Sequence, residues 1–315
     1  MESDKINSSD LYLHLPPNFN ASGEHVLVLG EILWDVFPDS VRLGGAALNF
    51  AAQARQLRHK PLLISAVGRD ELGDRAMRAI SDLSLDARYI QTTGLFNTGT
   101  ATVRFGLLHE TSFSIERPAA YDAVELSDRD LQQIIRWTPS WLYYGTLFSS
   151  GVAGKDLLYR LLGALPKAKR FYDLNLRPGS NSPALVKELL SAANVVKLNE
   201  EELDAVREFT GLPADTEGFC RSGASRYGWS AACVTLGARG CAMLVGGEYV
   251  EAAGHPVDVA DTVGAGDAFA AAFMHGIISD WRAGEIADFS NRVGALVASV
   301  HGAIPNLAVK EVMDR

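Results

Sequence analysis

The sequence predicts an α/β fold in three layers, with a mostly parallel sheet between two layers of helices. One sign is His25–Leu33 (HVLVLGEIL), a continuous apolar run that fits a strand buried on both faces. A second is that such runs alternate with helical stretches along the chain, as strands joined by covering helices do. A third is a pair of glycine-bearing turns placed directly before Ala-rich helices, at Gly44-Gly45 and at Gly264–Gly266. Turns of that kind let backbone N–H groups come close to a ligand.

The 315 residues allow one large domain or two smaller ones. Composition is that of a soluble protein, and no apolar run is long enough to span a bilayer, so a membrane partner is not expected. A formal charge of −9 argues against a nucleic-acid binder, whose footprint would be basic. It leaves room for a small anionic ligand, because the local field in a cleft outweighs net charge. Cys220, Cys233 and Cys241 lack metal-ligand spacing and read as reduced thiols of a cytoplasmic protein. Residues 1–24 are polar, carry Pro16-Pro17, and lack the basic and apolar regions of a signal peptide. They are expected to be a mobile extension.

Taken in order, the run from His25 ends at Trp34-Asp35. Ligands of open α/β sheets bind at the carboxyl ends of strands, so Asp35 either accepts hydrogen bonds from a ligand's hydroxyls or simply makes a turn. Leu43-Gly44-Gly45-Ala46-Ala47-Leu48-Asn49 opens a helix whose small residues suit close packing on the sheet. Asn49 is a polar group inside that apolar stretch and needs a partner. Lys60–Gly68 is a strand, followed by a helix from about Asp70 to Leu83. Between Thr98 and Asp122 the pattern changes to alternation, which marks half-exposed antiparallel strands. Ser127–Trp137 is a helix with a Ser-x-x-Asp start, and Trp141–Leu147 a strand. Arg170–Pro178 reads as a strand on which Asp173, Asn175 and Arg177 share a face. Arg177 there either holds an oxyanion with its fixed-charge fork or pairs with an aspartate. Asn199 and Glu202 have capping-box spacing at a strand-to-helix junction. Cys233–Gly240 is a strand running into a two-glycine turn and a hairpin, and Ser290–Val300 a further helix.

The chemistry is placed at Asp261-Thr262-Val263-Gly264-Ala265-Gly266-Asp267, where a turn opens the helix that continues Ala268-Phe269-Ala270. A helix N-terminus offers unpaired N–H groups and partial positive charge to a phosphate or a developing anion. Asp267 in the first turn would repel an incoming phosphate unless its task is to remove a proton from an attacking hydroxyl. The pairing points to phosphoryl transfer to an alcohol. The turn is neither a Walker loop, since no Gly-Lys-Ser/Thr follows, nor a dinucleotide fingerprint, since Phe269 stands where the third glycine belongs.

The full string DTVGAGDAF resembles the signature of the ribokinase (PfkB) family of carbohydrate kinases. GEILWD, GGAALNFA and DLNLRPG resemble its fructokinase-like branch, with Ala47 where proline is frequent. The resemblance extends over roughly residues 25–306. It implies a ribokinase-like kinase domain over 25–315, with a small β-strand lid from about 34–43 and 98–122. It implies an ATP-dependent kinase for a sugar hydroxyl, with fructose as acceptor and a 2-keto-3-deoxygluconate, ribose or nucleoside as the alternatives. A non-catalytic sugar-sensing or scaffold protein is the alternative outside catalysis. The roles it implies are a base at Asp267 with an anion hole at Gly264, Ala265 and Gly266. Sugar contacts fall on Asp35, Gly44, Gly45, Asn49, Arg104, Asp173 and Arg177. ATP contacts fall on Lys197, Asn199, Glu202, Thr235, Gly237, Gly240 and Asn291. Magnesium is expected to meet Glu202 through water, and potassium is expected among Asp261, Val263, Val297, Val300, Gly302 and Asn306. A homodimer through the lid is the expected assembly.

Overall fold

The computed structural model describes residues 12–14, 23–105, 111–177 and 182–310. The side chains of 12–14, 103–105, 111–113 and 308–310 lie outside that description. Tyr12–His14 (β1) pairs in parallel with Ala308–Lys310 (β15), so this piece of the N-terminal segment lies along the C-terminal end.

His25–Leu29 (β2) shows how three layers arise from one apolar run. Val26 and Val28 enter the core on one face of the sheet, Leu27 and Leu29 the core on the other. Successive side chains of a strand point to opposite faces, so only an unbroken apolar run satisfies two cores. The run does not continue to Leu33 as one strand. The chain turns at Gly30, and Leu33–Val36 (β3) belongs to a different sheet. Ile32, Leu33 and Trp34 nevertheless stay buried, which is why apolar residues resume after Gly30-Glu31 as if one strand continued. Asp35 therefore comes from a strand of this second sheet, not from the end of the central sheet.

The remaining elements follow in order as Val41–Gly44 (β4), Ala46–Gln56 (α1), Lys60–Gly68 (β5), Glu71–Asp82 (α2), Ile90–Thr93 (β6), Gly99–Phe105 (β7) and Thr111–Ile115 (β8). Then come Asp128–Trp137 (α3), Trp141–Gly145 (β9), Thr146–Ser149 (α4), Val152–Ala164 (α5), Lys169–Asp173 (β10), Pro183–Ala192 (α6), Val195–Asn199 (β11), Glu200–Thr210 (α7) and Thr216–Tyr227 (α8). The chain closes with Ala231–Thr235 (β12), Cys241–Val245 (β13), Glu248–Ala252 (β14), Ala265–Ile278 (α9) and Ala283–Ala298 (α10). Among the described residues the central sheet runs β14-β13-β12-β11-β10-β9-β2-β5-β6. It is parallel from β12 to β6, with β13 and β14 antiparallel at one edge. Residues of α1, α2, α9 and α10 share the core on one face; α3, α5, α6, α7 and α8 share the core on the other. Phe50 of α1 stacks on Tyr143 of β9, with Phe171 of β10 edge-on to both. That aromatic cluster fixes α1 against the sheet at the depth where Asn49 must act.

Ser127 caps α3 by accepting from the Asp130 N–H, and Asp70 caps α2 through Gly73. Both starts follow the Ser/Asp preference for the helix N-cap. Two sequence expectations need correction here. β10 ends at Asp173, and Asn175 takes a left-handed φ of 42°, so Asp173, Asn175 and Arg177 do not alternate along one strand. The last long helix begins at Ala283, seven residues before the apolar stretch at Ser290 that signalled it, and stops at Ala298. The alternating segments pair as β4-β3-β7-β8, a second sheet whose β3 and β7 run parallel.

Candidate active site

Gly264 is the N-cap of α9 at φ 80°, and a Cβ there would overlap Ala303. Only glycine turns the chain so tightly against the C-terminal loop. Of the first-turn N–H groups of α9, which an α-helix leaves without an intrahelical acceptor, that of Ala265 donates to the Thr262 carbonyl at 3.3 Å, and those of Gly266 and Asp267 follow it. A Cβ placed on Gly266 would sit 3.6 Å from Lys197 Nζ, so a buried ammonium stands beside the turn. Helix terminus and ammonium together bring partial and full positive charge to one point, an arrangement that suits an anion.

Asp267 lies one step along α9 and is 8% exposed. Its Oδ2 accepts from Asn49 Nδ2 at 2.8 Å. Burial pushes the Asp267 carboxyl up to about 7, and the charge of Asp173 adds to the rise. The Asn49 hydrogen bond and the charges of Lys197 and Arg177 pull the other way. A carboxylate so balanced can accept a proton near neutral pH. Asn49 Oδ1 is buried with no hydrogen-bond partner among the described residues. Buried polar atoms seldom go unsatisfied, so this oxygen marks a place where a ligand donor is expected.

Behind Asp267, Asp173 and Lys197 are cross-strand partners on β10 and β11 and form a buried ion pair at 2.9 Å. Tyr143 Oη donates to the other Asp173 oxygen at 3.1 Å. Burial works against the charge on Lys197, yet Asp173, Glu202 and Asp267 outweigh it and raise its pKa. Asp173 was expected to touch sugar. It is fully buried, with one oxygen on Lys197 and the other on the Tyr143 hydroxyl, and its charge supports that of Lys197 and raises the Asp267 pKa.

Glu202 and Asn199 form the expected capping box: Asn199 Oδ1 accepts the Glu202 N–H, and Glu202 Oε2 accepts the Asn199 N–H, each at 2.8 Å. Glu202 Oε1 accepts the Leu176 N–H at 2.7 Å. Burial raises the Glu202 pKa against the opposing charge of Lys197. Each carboxylate oxygen has a second acceptor site, so the residue suits contact with a metal's water. Among the described residues no group of three or more His, Cys, Asp or Glu could hold a metal ion directly.

The β3–β4 pair of the second sheet carries Asp35 and Gly44, with Gly45 directly after it. Burial raises the Asp35 carboxyl to about 6, opposed chiefly by the charge of Arg177. A Cβ at Gly44 would collide with the Asp35 carboxylate, and Gly45, at φ 108°, would collide with the Glu31 carbonyl. The diglycine thus makes space for Asp35 and turns the chain into α1. Glu31, which the sequence reading passed over, accepts the first N–H of α1, at Ala46, at 3.0 Å. Burial raises its pKa, and the charge of Arg177 lowers it. The positive charge of Arg177 opposes the rise at Glu31, Asp35 and Asp267 alike. Arg104 is on β7, and its side chain lies outside the described residues.

On the other side of Gly266 opens an apolar cavity of about 560 Å³, lined in part by Asn199, Thr235, Gly237, Gly240, Ala265 and Asn291. Positive φ at Gly237 (60°) and Gly240 (101°) carries the hairpin around the cavity wall. Val257, Phe269, Gly294 and Ala298 also line it and had no polar signal to announce them. Asn291 donates to the carbonyls of Ala252 and Ala253, so it braces the wall.

The expected potassium ligands are only partly assembled. Asp261 Oδ1 accepts the Val263 N–H at 3.0 Å, and Oδ2 accepts the Gly302 N–H at 3.3 Å and an N–H of Arg42. Val297 and Val300 lie at the end of α10, where Ala298 O accepts the Asp261 N–H. No contact ties Asn306 to this group among those described. A guanidinium already neutralises the Asp261 carboxylate, so this donor set does not fit an alkali cation at that carboxylate.

The model of the pfkB family carbohydrate kinases matches residues 29–310. The chain is 28% identical over 309 residues to a fructokinase of Escherichia coli, covering 92% of this chain and 98% of that protein. It is 25% identical over 274 residues to a ribokinase of Haemophilus influenzae, covering 86% of each. Among solved structures, the fructokinase of Vibrio cholerae O395 with fructose, ADP and calcium ion superposes with a TM-score of 0.75 at 22% identity. That alignment covers 91% of this chain and 96% of the other.

Proposed function

The chain belongs to the pfkB family of carbohydrate kinases and is an ATP-dependent sugar kinase; we propose that fructose is its acceptor and Asp267 its general base. The observation that carries this reading is the buried Asp267 carboxylate, poised near pH 7 at the helix terminus between two unlike sites. On one side lies the apolar cavity, suited to a nucleotide base and ribose. On the other lie Asn49, Asp35 and Glu31, whose acceptor oxygens suit sugar hydroxyls. Three carboxylates around one cleft disfavour the anionic group of a keto-deoxy acid and favour a neutral sugar. The relatives named fructokinase and the GEILWD and GGAALNFA segments favour fructose among neutral sugars.

Asp267 takes the proton as the hydroxyl oxygen bonds to the γ-phosphorus of ATP. The bond to the β–γ bridging oxygen breaks, and ADP leaves. Lys197, Arg177 and the first-turn N–H groups of α9 hold the charge spread over the transferring oxygens. Magnesium bound with the nucleotide would neutralise phosphate charge, with Glu202 and Asn199 meeting its waters. Pairing of two copies through the lid edges belongs to the same proposal and is read by light scattering. No described helix is long and apolar enough to cross a membrane.

The test is ATP consumption across a panel of sugars, with the product identified. Fructose should give the highest kcat/KM, with phosphate on a primary hydroxyl. A clear preference for ribose, a nucleoside or a keto-deoxy acid would overturn the substrate and leave the kinase standing.

A further inference from the structure

Arg42 connects the lid to the anion turn. It is the cross-strand partner of Asp35 in the β3–β4 pair, and directly opposed side chains of an antiparallel pair share a face. From there its guanidinium reaches across to Asp261, 219 positions along the chain, and donates to Oδ2. Its Cζ lies 4.7 Å from the centre of the Phe37 ring, which braces the side chain. Asp261 also accepts the N–H groups of Val263 and Gly302, the two loops that meet around the start of α9. One carboxylate thereby ties together the strand that carries Asp35, the loop that leads into Gly264, and the C-terminal loop packed on it.

The Arg42 side chain is 34% exposed and that of Asp261 10%, and an ion pair so open to water contributes little to stability. Geometry is its larger consequence. Seating the lid over the sugar brings a fixed positive charge to the loop that shapes the anion hole. The same charge occupies the place where a diffusible cation would have to bind, and like charges at that range repel.

We propose that Arg42 is a positioning residue that supplies the cation for Asp261 and couples lid seating to the order of the Gly264–Asp267 turn, making potassium dispensable. The proposal rests on the sugar-kinase reading of the site. Wild type, Arg42→Ala and Arg42→Lys are compared in potassium and in tetramethylammonium at matched ionic strength. Steady-state kinetics are measured with fructose and ATP, and thermal melting with ADP and magnesium. Wild type should give equal kcat and equal melting temperature in both salts. Arg42→Ala should lose kcat on the order of 10–10²-fold in tetramethylammonium, as a misplaced turn would. Potassium should restore part of that loss and raise the melting temperature of this variant alone. Arg42→Lys should stay near wild type. A wild type that needs potassium, or an Arg42→Ala variant with normal kcat in tetramethylammonium, overturns the proposal. The melting arm needs no turnover, so it still reads the cation response if fructose proves the wrong sugar.

Discussion

Asn49 Nδ2 donates to Asp267 Oδ2 at 2.8 Å, joining α1 to the first turn of α9 across 218 positions of sequence. The bond has two consequences. It orients the carboxylate, and it favours its ionised form against the burial that opposes it. The amide's other atom, Oδ1, is buried and has no hydrogen-bond partner among the described residues. A sugar hydroxyl that donates to Asn49 would arrive within reach of the base.

Removing that bond should therefore move the pH profile. In Asn49→Ala, Asp267 loses a hydrogen bond that lowers its pKa, so the pKa rises further above about 7. The base is active when ionised, so the acid limb of kcat against pH should shift to higher pH. KM for the sugar should also rise, because the orphan acceptor has gone. An acid limb at the wild-type position would show that Asn49 does not set the charge of Asp267.

The same carboxyl makes stability depend on pH in the apo protein. Its folded pKa, about 7, stands above its ordinary 3.8, so the folded state binds more protons between those values. Stability from this group is present at low pH and is lost as pH rises from about 4 to 7, by an amount on the order of 4 kcal/mol at most. Asp35, raised to about 6, acts in the same direction over the lower part of that window. Asp267→Asn should consequently melt higher than wild type at pH 8, with the gap closing toward pH 4. A variant that melts lower at pH 8 would mean the carboxylate stabilises the fold as a cap.

The Asp173–Lys197 pair should show the asymmetry of buried charges. Lys197→Met leaves Asp173 charged and sealed, at a cost of about 3–5 kcal/mol, and Asp173→Asn strips Lys197 of its nearest counter-charge. The double variant should recover much of the stability while remaining inactive, since the ammonium beside Gly266 has gone. Denaturant melts across the four proteins, with kcat alongside, give the coupling directly. Additive losses would contradict a coupled pair.

What the sequence discloses follows the reach of each signal. The α9 turn and the Asn199–Glu202 box are legible because a glycine pair or a capping pair acts within a few residues. The corner at Gly30 is not, because residues on both sides of it are buried and hydrophobicity records burial, not direction. The shared face expected for Asp173, Asn175 and Arg177 fails because alternation assumes the strand continues, and Asn175 ends that assumption with a positive φ. Arg42 gave no signal, since its partner is 219 positions away and only the tertiary fold brings them together. Glu31 was hidden differently: its partner Ala46 is 15 positions off, across the lid hairpin.

Steady-state kinetics on Asp267→Asn, with nucleotide affinity measured on the same preparation, bear most directly on the base. Asparagine nearly matches aspartate in size and keeps a hydrogen-bonding group opposite Asn49, but it cannot take the hydroxyl proton. Loss of a general base commonly costs about 10²–10⁴-fold in rate, and here the loss should fall on kcat. Affinity for ATP should hold or tighten, because a negative charge near the phosphates has gone. A folded Asp267→Asn variant with near-wild-type kcat would contradict Asp267 as the base and, with it, the mechanism proposed for this site.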